Sequence, residues 1–136
     1  MVLDTCVLKL ATFPAPDNPA ALILELCLRK VVEWWASPAI LEEYGYVLAD
    51  EPEFLADVFN SVEQCFPLTE LSIVDHEPDN RFIECALAVS ADYLVTVNTA
   101  RGHFDKRSYS GTRIAMPGQF LAVPTIRKLL QTLPGV

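Results

Sequence analysis

The chain has 136 residues, a length that predicts a single domain over residues 1–136 with a core that folds without disulfide bonds. Acidic residues outnumber basic ones by 18 to 10, which gives a formal net charge of −8. This charge argues against broad, metal-free binding of nucleic acid, because phosphate contacts need Lys and Arg. Divalent cations held by acidic side chains can nevertheless reverse the local sign. No apolar run is long enough to span a bilayer, so no membrane association is expected.

The cysteines indicate a cytoplasmic protein. None belongs to a CxxC pair and all lie in apolar surroundings, which is typical of reduced core residues: Cys6, Cys27, Cys65 and Cys85. His76 and His103 are not at ligand spacing from any cysteine pair, so a cysteine-based zinc site is not expected. No cationic leader precedes the first predicted strand, and we expect no signal peptide.

The first half of the chain predicts two strands and three helices. Met1 to Asp4, extended by one or two residues, is predicted as a buried strand that stops at an acid. The proline-rich segment LKLATFPAPDNP is predicted as a loop. Asn18-Pro19 and Ser37-Pro38 each join a good N-cap to a good first helical residue, and each predicts a helix start. The segment VVEWWAS between these helices is predicted as the second strand, and a third helix is predicted from Glu51 to Cys65.

The second half predicts three more strands and two helices, separated by the polar loop TARGHFDKRSYSG. In chain order these are a strand over Leu71 to Asp75, a helix over Asp79 to Ser90, strands over Tyr93 to Val97 and Thr112 to Met116, and a helix near Thr125 to Leu133. This order predicts an α/β fold with a mainly parallel sheet wrapped by helices. Ligands bind such sheets beyond the carboxyl ends of the strands, where Asp4 and Asn98 both fall.

Acids at strand ends and helix starts are candidates for one shared cation site. Asp4 ends the first strand, with capping of the following turn as the alternative role. Asp79 opens a helix, and N-capping is its alternative role. Beside Asp4, Thr5 is expected to support the acid by hydrogen bonding, and Cys6 is expected to line the site. Thr96 and Asn98 share a strand face at the same end.

Two adjacent glutamates compete for one place in this site. Glu42 and Glu43 point about 100° apart on a helix, so only one can face a common centre. Glu43 is close to the apolar face, where an acid needs a partner, a proton or a metal ion. Glu42 is the second candidate for the ligand. The alternative role of Glu43 is that of a solvated glutamate on the helix surface. Glu84, further along the chain, is expected to be structural.

At these residues the chain resembles the PIN domain family, and within it the toxin-like branch of VapC-like ribonucleases. VLDTCVL is similar to the family's opening strand, and SPAILEEYGYVLADEPEF resembles the helix with its conserved glutamate. PDNRFIECALAVSADYLVTVN resembles the helix with the third acid and the strand after it. SGTRIAMPGQFLAV is similar to the last strand and its Pro-x-x-Phe-Leu turn.

The resemblance implies a three-layer α/β/α sandwich with a mainly parallel five-stranded sheet. It further implies a metal-dependent endoribonuclease that uses Mg²⁺ or Mn²⁺, cuts RNA, pairs with an antitoxin and forms a homodimer. The family's metal-binding and catalytic residues carry over to Asp4, Glu43, Asp79 and Asn98. Asn98 stands where the family usually has a fourth Asp, and Asp105 is a candidate to return that charge if its loop folds inward.

Other functions stay open beside the nuclease. The first alternative is a catalytically weakened PIN-like domain that acts as a protein- or RNA-binding module, because Asn98 lacks a charge. A phosphotransfer domain is a third class. A haloacid dehalogenase-like enzyme needs a second aspartate two residues after Asp4, where this chain has Cys6. A receiver domain needs an acidic pair near the first strand, and this sequence lacks one. The sequence also has no glycine-rich loop of the kind that binds phosphate.

Overall fold

The computed structural model describes residues 1–134, which contain short strands interspersed with helices. The strands are β1 (Val2–Leu3), β2 (Trp35–Ala36), β3 (Glu63–Gln64), β4 (Tyr93–Val95), β5 (Ser108–Tyr109) and β6 (Thr112–Ala115). The helices are α1 (Thr5–Ala11), α2 (Pro19–Leu28), α3 (Pro38–Val47), α4 (Pro52–Ser61), α5 (Asn80–Ala88), α6 (Pro117–Leu121) and α7 (Pro124–Gln131). A 3₁₀ turn over Glu77–Asp79 leads directly into α5.

The main sheet has four strands in the order β1-β4-β6-β5. β1 and β6 both run parallel to β4, whereas β5 pairs antiparallel with β6. β2 and β3 form a separate parallel pair beside β1, where the Trp35 N–H donates to the Met1 carbonyl at 3.0 Å. The predicted α/β class is therefore confirmed, but the described residues form a mixed four-stranded sheet instead of the predicted five-stranded one.

The strand predicted over Leu71 to Asp75 is wrong, because side chains of α5 take up its backbone donors. Glu84 accepts from the Leu71 N–H at 2.8 Å. Asn80 Oδ1 accepts from the Ile73 and Val74 N–H groups at 2.8 and 3.0 Å. With these donors bonded to side chains, the segment runs along α5 without a strand partner, and the strand that pairs with β2 lies earlier, at Glu63–Gln64.

Two segments predicted as loops contain regular structure. α1 begins directly after Asp4 and ends at Ala11, before the first proline of the proline-rich segment. β5 and β6 form a hairpin around Ser110 and Gly111, which have φ of +47° and +92°. Positive φ at both central residues is what a tight type I′ hairpin turn requires.

Both predicted cap-plus-proline helix starts are confirmed. Asn18 Oδ1 accepts from the Ala20 and Ala21 N–H groups at the start of α2. Ser37 Oγ accepts from the Ile40 N–H at the start of α3. These caps satisfy backbone donors that a helix leaves unpaired at its first turn.

The core lies between the sheet and the helices and orients α3 toward the end of β1. Tyr44 of α3 is fully buried, its ring packs between Trp34 and Phe82, and its hydroxyl donates to the Leu3 carbonyl.

Cys27, Cys65 and Cys85 are buried free thiols. Burial raises the pKa of the Cys27 thiol to about 12, so it stays protonated at neutral pH. No helix within residues 1–134 is long and apolar enough to cross a membrane.

Candidate metal centre

Asp4 lies at the carboxyl edge of the sheet, held by the neighbouring strand. Its N–H donates to the Val95 carbonyl at 3.0 Å, which continues the β1–β4 register and places it next to Thr96. Thr96 Oγ1 donates to Asp4 Oδ2 at 2.7 Å, and Cys6 Sγ donates to the same oxygen at 3.3 Å. The Asp4 side chain makes no capping hydrogen bond to α1, so its carboxylate belongs to the interior of the site.

Glu43 reaches the same edge from α3. Its Oε2 accepts a hydrogen bond from Thr5 Oγ1, so the Thr5 hydroxyl supports this glutamate, whereas the Thr5 backbone interacts with the Asp4 carboxyl. The neighbouring Tyr44 ties α3 to the Leu3 carbonyl, one residue before Asp4. Glu43 is half-buried, whereas Glu42 is exposed. Of the two glutamates, Glu43 is therefore the one that the fold directs toward Asp4.

Asp79 ends the 3₁₀ turn and is only 4% exposed. Its side chain makes no capping bond to α5. Instead, Oδ1 lies 3.1 Å from His76 Nδ1, and Oδ2 lies 2.8 Å from His103 Nδ1. The carboxylate is thus placed by two imidazoles from two different loops.

Asn98 joins the cluster through its backbone and its amide. Its N–H donates to Thr96 Oγ1 at 2.9 Å, and its Nδ2 lies 2.9 Å from His103 Nδ1. Thr96 therefore links Asn98 to Asp4, and His103 links Asn98 to Asp79. Asp105 is exposed and lies 3.5 Å from the Tyr109 hydroxyl. The chain of contacts from Asp4 to Asp79 does not include it.

The carboxylates are close enough to repel one another. Burial raises the pKa of Asp4; hydrogen bonds from Thr96 and Cys6 oppose this rise, and the charge of Asp79 adds to it. Burial also raises the pKa of Glu43; the bond from Thr5 opposes the rise, and the charges of Asp4 and Asp79 add to it. Burial, followed by the Asp4 charge, raises the pKa of the Cys6 thiol to about 11. Cys6 is therefore a neutral donor at this site.

Basic side chains do not compensate this charge. Within residues 1–134, neither Asp4, Glu43 nor Asp79 forms an ion pair with Lys or Arg. The nearby Arg81 is bonded to other acids, namely Glu70, Glu77 and Glu84. A buried or half-buried carboxylate without a cationic partner is costly, and a divalent cation removes that cost. The donor set, hard carboxylate oxygens with amide and imidazole groups nearby, fits such an ion.

The surface around the cluster offers contacts for a larger ligand. A groove of about 360 Å³ runs past Glu43 and is lined by Tyr46, Pro78 and Arg81 among others. Tyr46 is 86% exposed there. On the loop between β4 and β5, three basic residues are exposed: Arg101, Lys106 and Arg107.

Sequence reasoning missed the histidines. His76 and His103 are separated by 27 positions along the chain, and each lies alone in a polar loop, so no spacing rule relates them. The fold pairs them because the His76 N–H donates to the Gly102 carbonyl at 2.8 Å. With Asp79 they offer ligand atoms that all lie within 4.8 Å of one another.

Comparison with known proteins gives one match. A family model described as PIN domain matches residues 1–100, a span that contains Asp4, Glu43, Asp79 and Asn98. The searches of curated proteins and of solved structures found no match. PIN domains are typically nucleases that use divalent metal ions. Because the matched span covers 100 of the 136 residues, the chain belongs to the PIN domain family.

Proposed function

We propose that the protein is a metal-dependent endoribonuclease that hydrolyses RNA phosphodiester bonds with Asp4, Glu43, Asp79 and Asn98. The observation that carries this proposal is the charge balance at the sheet edge. Asp4, Glu43 and Asp79 carry a formal charge of −3 when ionised and interact electrostatically with one another, and no Lys or Arg within residues 1–134 pairs with them. One divalent ion offsets most of that charge, and substrate phosphates offset the excess of a second ion.

Some residues of this chain would bind the metal ion, and others orient the carboxylates that bind it. Asp4, Glu43 and Asp79 would hold Mg²⁺ or Mn²⁺, which supplies Lewis-acid polarisation of the phosphodiester and a nucleophilic hydroxide near neutral pH. Thr96 and Cys6 fix the Asp4 carboxylate, and Thr5 fixes Glu43. Asn98 adds a neutral amide, whose oxygen contributes less to cation binding than the usual Asp would.

RNA as the substrate is supported by the surroundings of the cluster. Arg101, Lys106 and Arg107 supply phosphate-binding charges on a loop that also carries His103. Tyr46 offers an exposed ring in the groove beside Glu43, where an unpaired base can stack. The exposed Tyr46 ring suits single-stranded RNA better than a duplex, because stacking on it needs an unpaired base.

The biological setting is proposed from the resemblance to VapC-like toxins. In that setting the protein is the toxin of a toxin–antitoxin pair, is held by a cognate antitoxin and forms a homodimer. Reduced buried thiols agree with a cytoplasmic location. The exposed Phe59 on α4 offers apolar surface for a protein contact.

A catalytically weakened binding module is the second candidate. It is favoured by Asn98, whose amide contacts His103 and carries no charge. In this alternative the domain binds RNA or a protein partner and does not cleave.

The two candidates are separated by a cleavage assay on single-stranded RNA with Mn²⁺. For the nuclease we expect cleavage that EDTA abolishes and that falls at least 100-fold, about 2.7 kcal/mol in barrier, in Glu43→Gln. Glu42→Gln is the matched control, because it changes the adjacent, exposed glutamate and should retain activity within about twofold. Binding of RNA without Mn²⁺-dependent cleavage would favour the module.

A further inference from the structure

Two loops bring both histidines of the chain to one carboxylate. His76 precedes the 3₁₀ turn, and His103 lies on the loop between β4 and β5. The bond from the His76 N–H to the Gly102 carbonyl holds the loops together. The imidazole ring centroids are 4.5 Å apart, with planes tilted by 40°. Asp79, almost fully buried, lies against both rings.

The spacing of these groups matches that of ligands around one metal ion. Asp79 oxygens lie 3.1 Å from His76 Nδ1 and 2.8 Å from His103 Nδ1. One ligand atom from each of the three residues lies within 4.8 Å of the other two. With metal–ligand bonds of about 2.1 Å, adjacent ligands are about 3.0 Å apart in an octahedron and about 3.4 Å apart in a tetrahedron. The side chains therefore need little movement to share an ion.

Asn98 brings a further polar group to the same imidazole nitrogen. Its Nδ2 lies 2.9 Å from His103 Nδ1, the atom that also faces Asp79. One Nδ1 cannot accept from an amide N–H and donate to a carboxylate at the same time. A cation bound by Nδ1 and Asp79, with the amide turned to present Oδ1, satisfies all three groups. In the metal-free protein a proton on Nδ1 serves the same contacts.

We propose that His76, Asp79 and His103 form a nitrogen–oxygen site for a divalent transition ion such as Zn²⁺ or Co²⁺. Imidazole ligands favour these ions, whereas the carboxylates Asp4 and Glu43 suit Mg²⁺ and Mn²⁺. The inference rests on the proposed function in one respect, because Asp79 belongs to both ligand sets. A transition ion at the histidines then competes with the Mg²⁺ that supports cleavage.

The test uses Co²⁺ as a spectroscopic substitute for Zn²⁺ on the full chain, with any affinity tag removed. The chain contains only two histidines, so every imidazole signal comes from His76 or His103. We expect two paramagnetically shifted, exchangeable imidazole N–H resonances, and the loss of one in each of His76→Ala and His103→Ala. Each variant should also bind Co²⁺ at least about tenfold more weakly. Zn²⁺ should displace Co²⁺ at equimolar concentration, and millimolar Mg²⁺ should not.

Glu43→Gln is the control, because it removes a carboxylate of the other ligand set. It should keep both imidazole resonances, because Glu43 is not one of the three proposed ligands, while weakening Mn²⁺ binding. Co²⁺ binding without shifted imidazole resonances, or unchanged affinity in both histidine variants, would overturn the inference and leave the imidazoles as hydrogen-bond partners of Asp79. RNA cleavage is scored separately with Mn²⁺, so loss of cleavage alone contradicts only the nuclease proposal.

Discussion

Asp4 and Asp79 each sit where an acid commonly caps a helix, yet neither side chain caps one. Asp4 accepts from Thr96 and Cys6, and Asp79 faces two imidazoles. At the scale of residues, the sequence predicted polar groups at strand ends and helix starts, because these positions are readable from apolar runs and caps. It could not predict their partners, since Thr96 meets Asp4 across 92 positions.

Stability of the metal-free protein should depend on pH through Asp4 and Glu43. Both pKa values are raised in the folded state, mainly by burial, so the folded protein binds more protons than the unfolded chain. The free energy of unfolding should therefore be highest below the unfolded values of about 4 and fall as pH rises through the raised pKa values.

Urea denaturation in EDTA between pH 4 and 8 measures this effect as the difference between the wild type and the double variant Asp4→Asn, Glu43→Gln. The wild type should lose stability relative to the double variant as pH rises, and saturating Mn²⁺ should remove the loss. A difference that stays constant or grows in favour of the wild type would contradict the assigned direction of the pKa shifts.

At the scale of elements, local signals predicted both cap-plus-proline helix starts and four of the five proposed strands, but they missed β3 and β5. Asn18-Pro19 and Ser37-Pro38 begin helices because a cap and a proline act within one turn. Leu71 to Asp75 fails as a strand because its donors bond to Glu84 and Asn80, which follow it in the chain. Pairing of such short strands depends on partners that an apolar run does not identify.

The loop that carries His103 should be sensitive at Gly102. This residue has φ of +91°, a conformation that side chains with a Cβ rarely adopt, and its carbonyl accepts from the His76 N–H. We expect Gly102→Ala to lower the free energy of unfolding by about 1–2 kcal/mol and to weaken Co²⁺ binding.

Gly118→Ala provides the matched control for thermal denaturation. Gly118 lies in α6, and an added Cβ would meet nothing within 4 Å, so this substitution should be neutral or stabilising by up to about 1 kcal/mol. Equal effects of the two substitutions would show that the Gly102 conformation is not what holds the loop.

At the scale of the whole molecule, the net charge of −8 conceals a local reversal. Arg101, Lys106 and Arg107 are exposed on the loop that reaches the acidic cluster. Composition alone argues against RNA binding, whereas this loop carries exposed basic side chains together with His103, which contacts Asp79. The sequence showed the basic loop but not the residues against which it folds.

Reversing two of these charges should weaken RNA binding without changing metal affinity. For Arg101→Glu with Lys106→Glu we expect at least tenfold weaker binding of single-stranded RNA at low salt. The plot of log K for RNA binding against log salt concentration should become less steep by about 1–2, because fewer counterions are released on binding. Fluorescence anisotropy with labelled RNA measures both quantities. The same charge change at Arg127 and Lys128, exposed on α7, should have little effect, and an equal loss there would indicate a non-specific charge effect.

The most direct test of the metal centre is a calorimetric titration of Mn²⁺ into the wild type and Asp4→Asn, in the absence of RNA. Asp4 is buried and has no Lys or Arg partner within residues 1–134. Its carboxylate should therefore bind the metal ion directly and contribute to its affinity. We predict that Asp4→Asn weakens Mn²⁺ binding at least tenfold, while Asp92→Asn, which changes an exposed acid before β4, leaves it within about twofold. Equal Mn²⁺ affinity in the wild type and Asp4→Asn would contradict the metal centre and the nuclease function built on it.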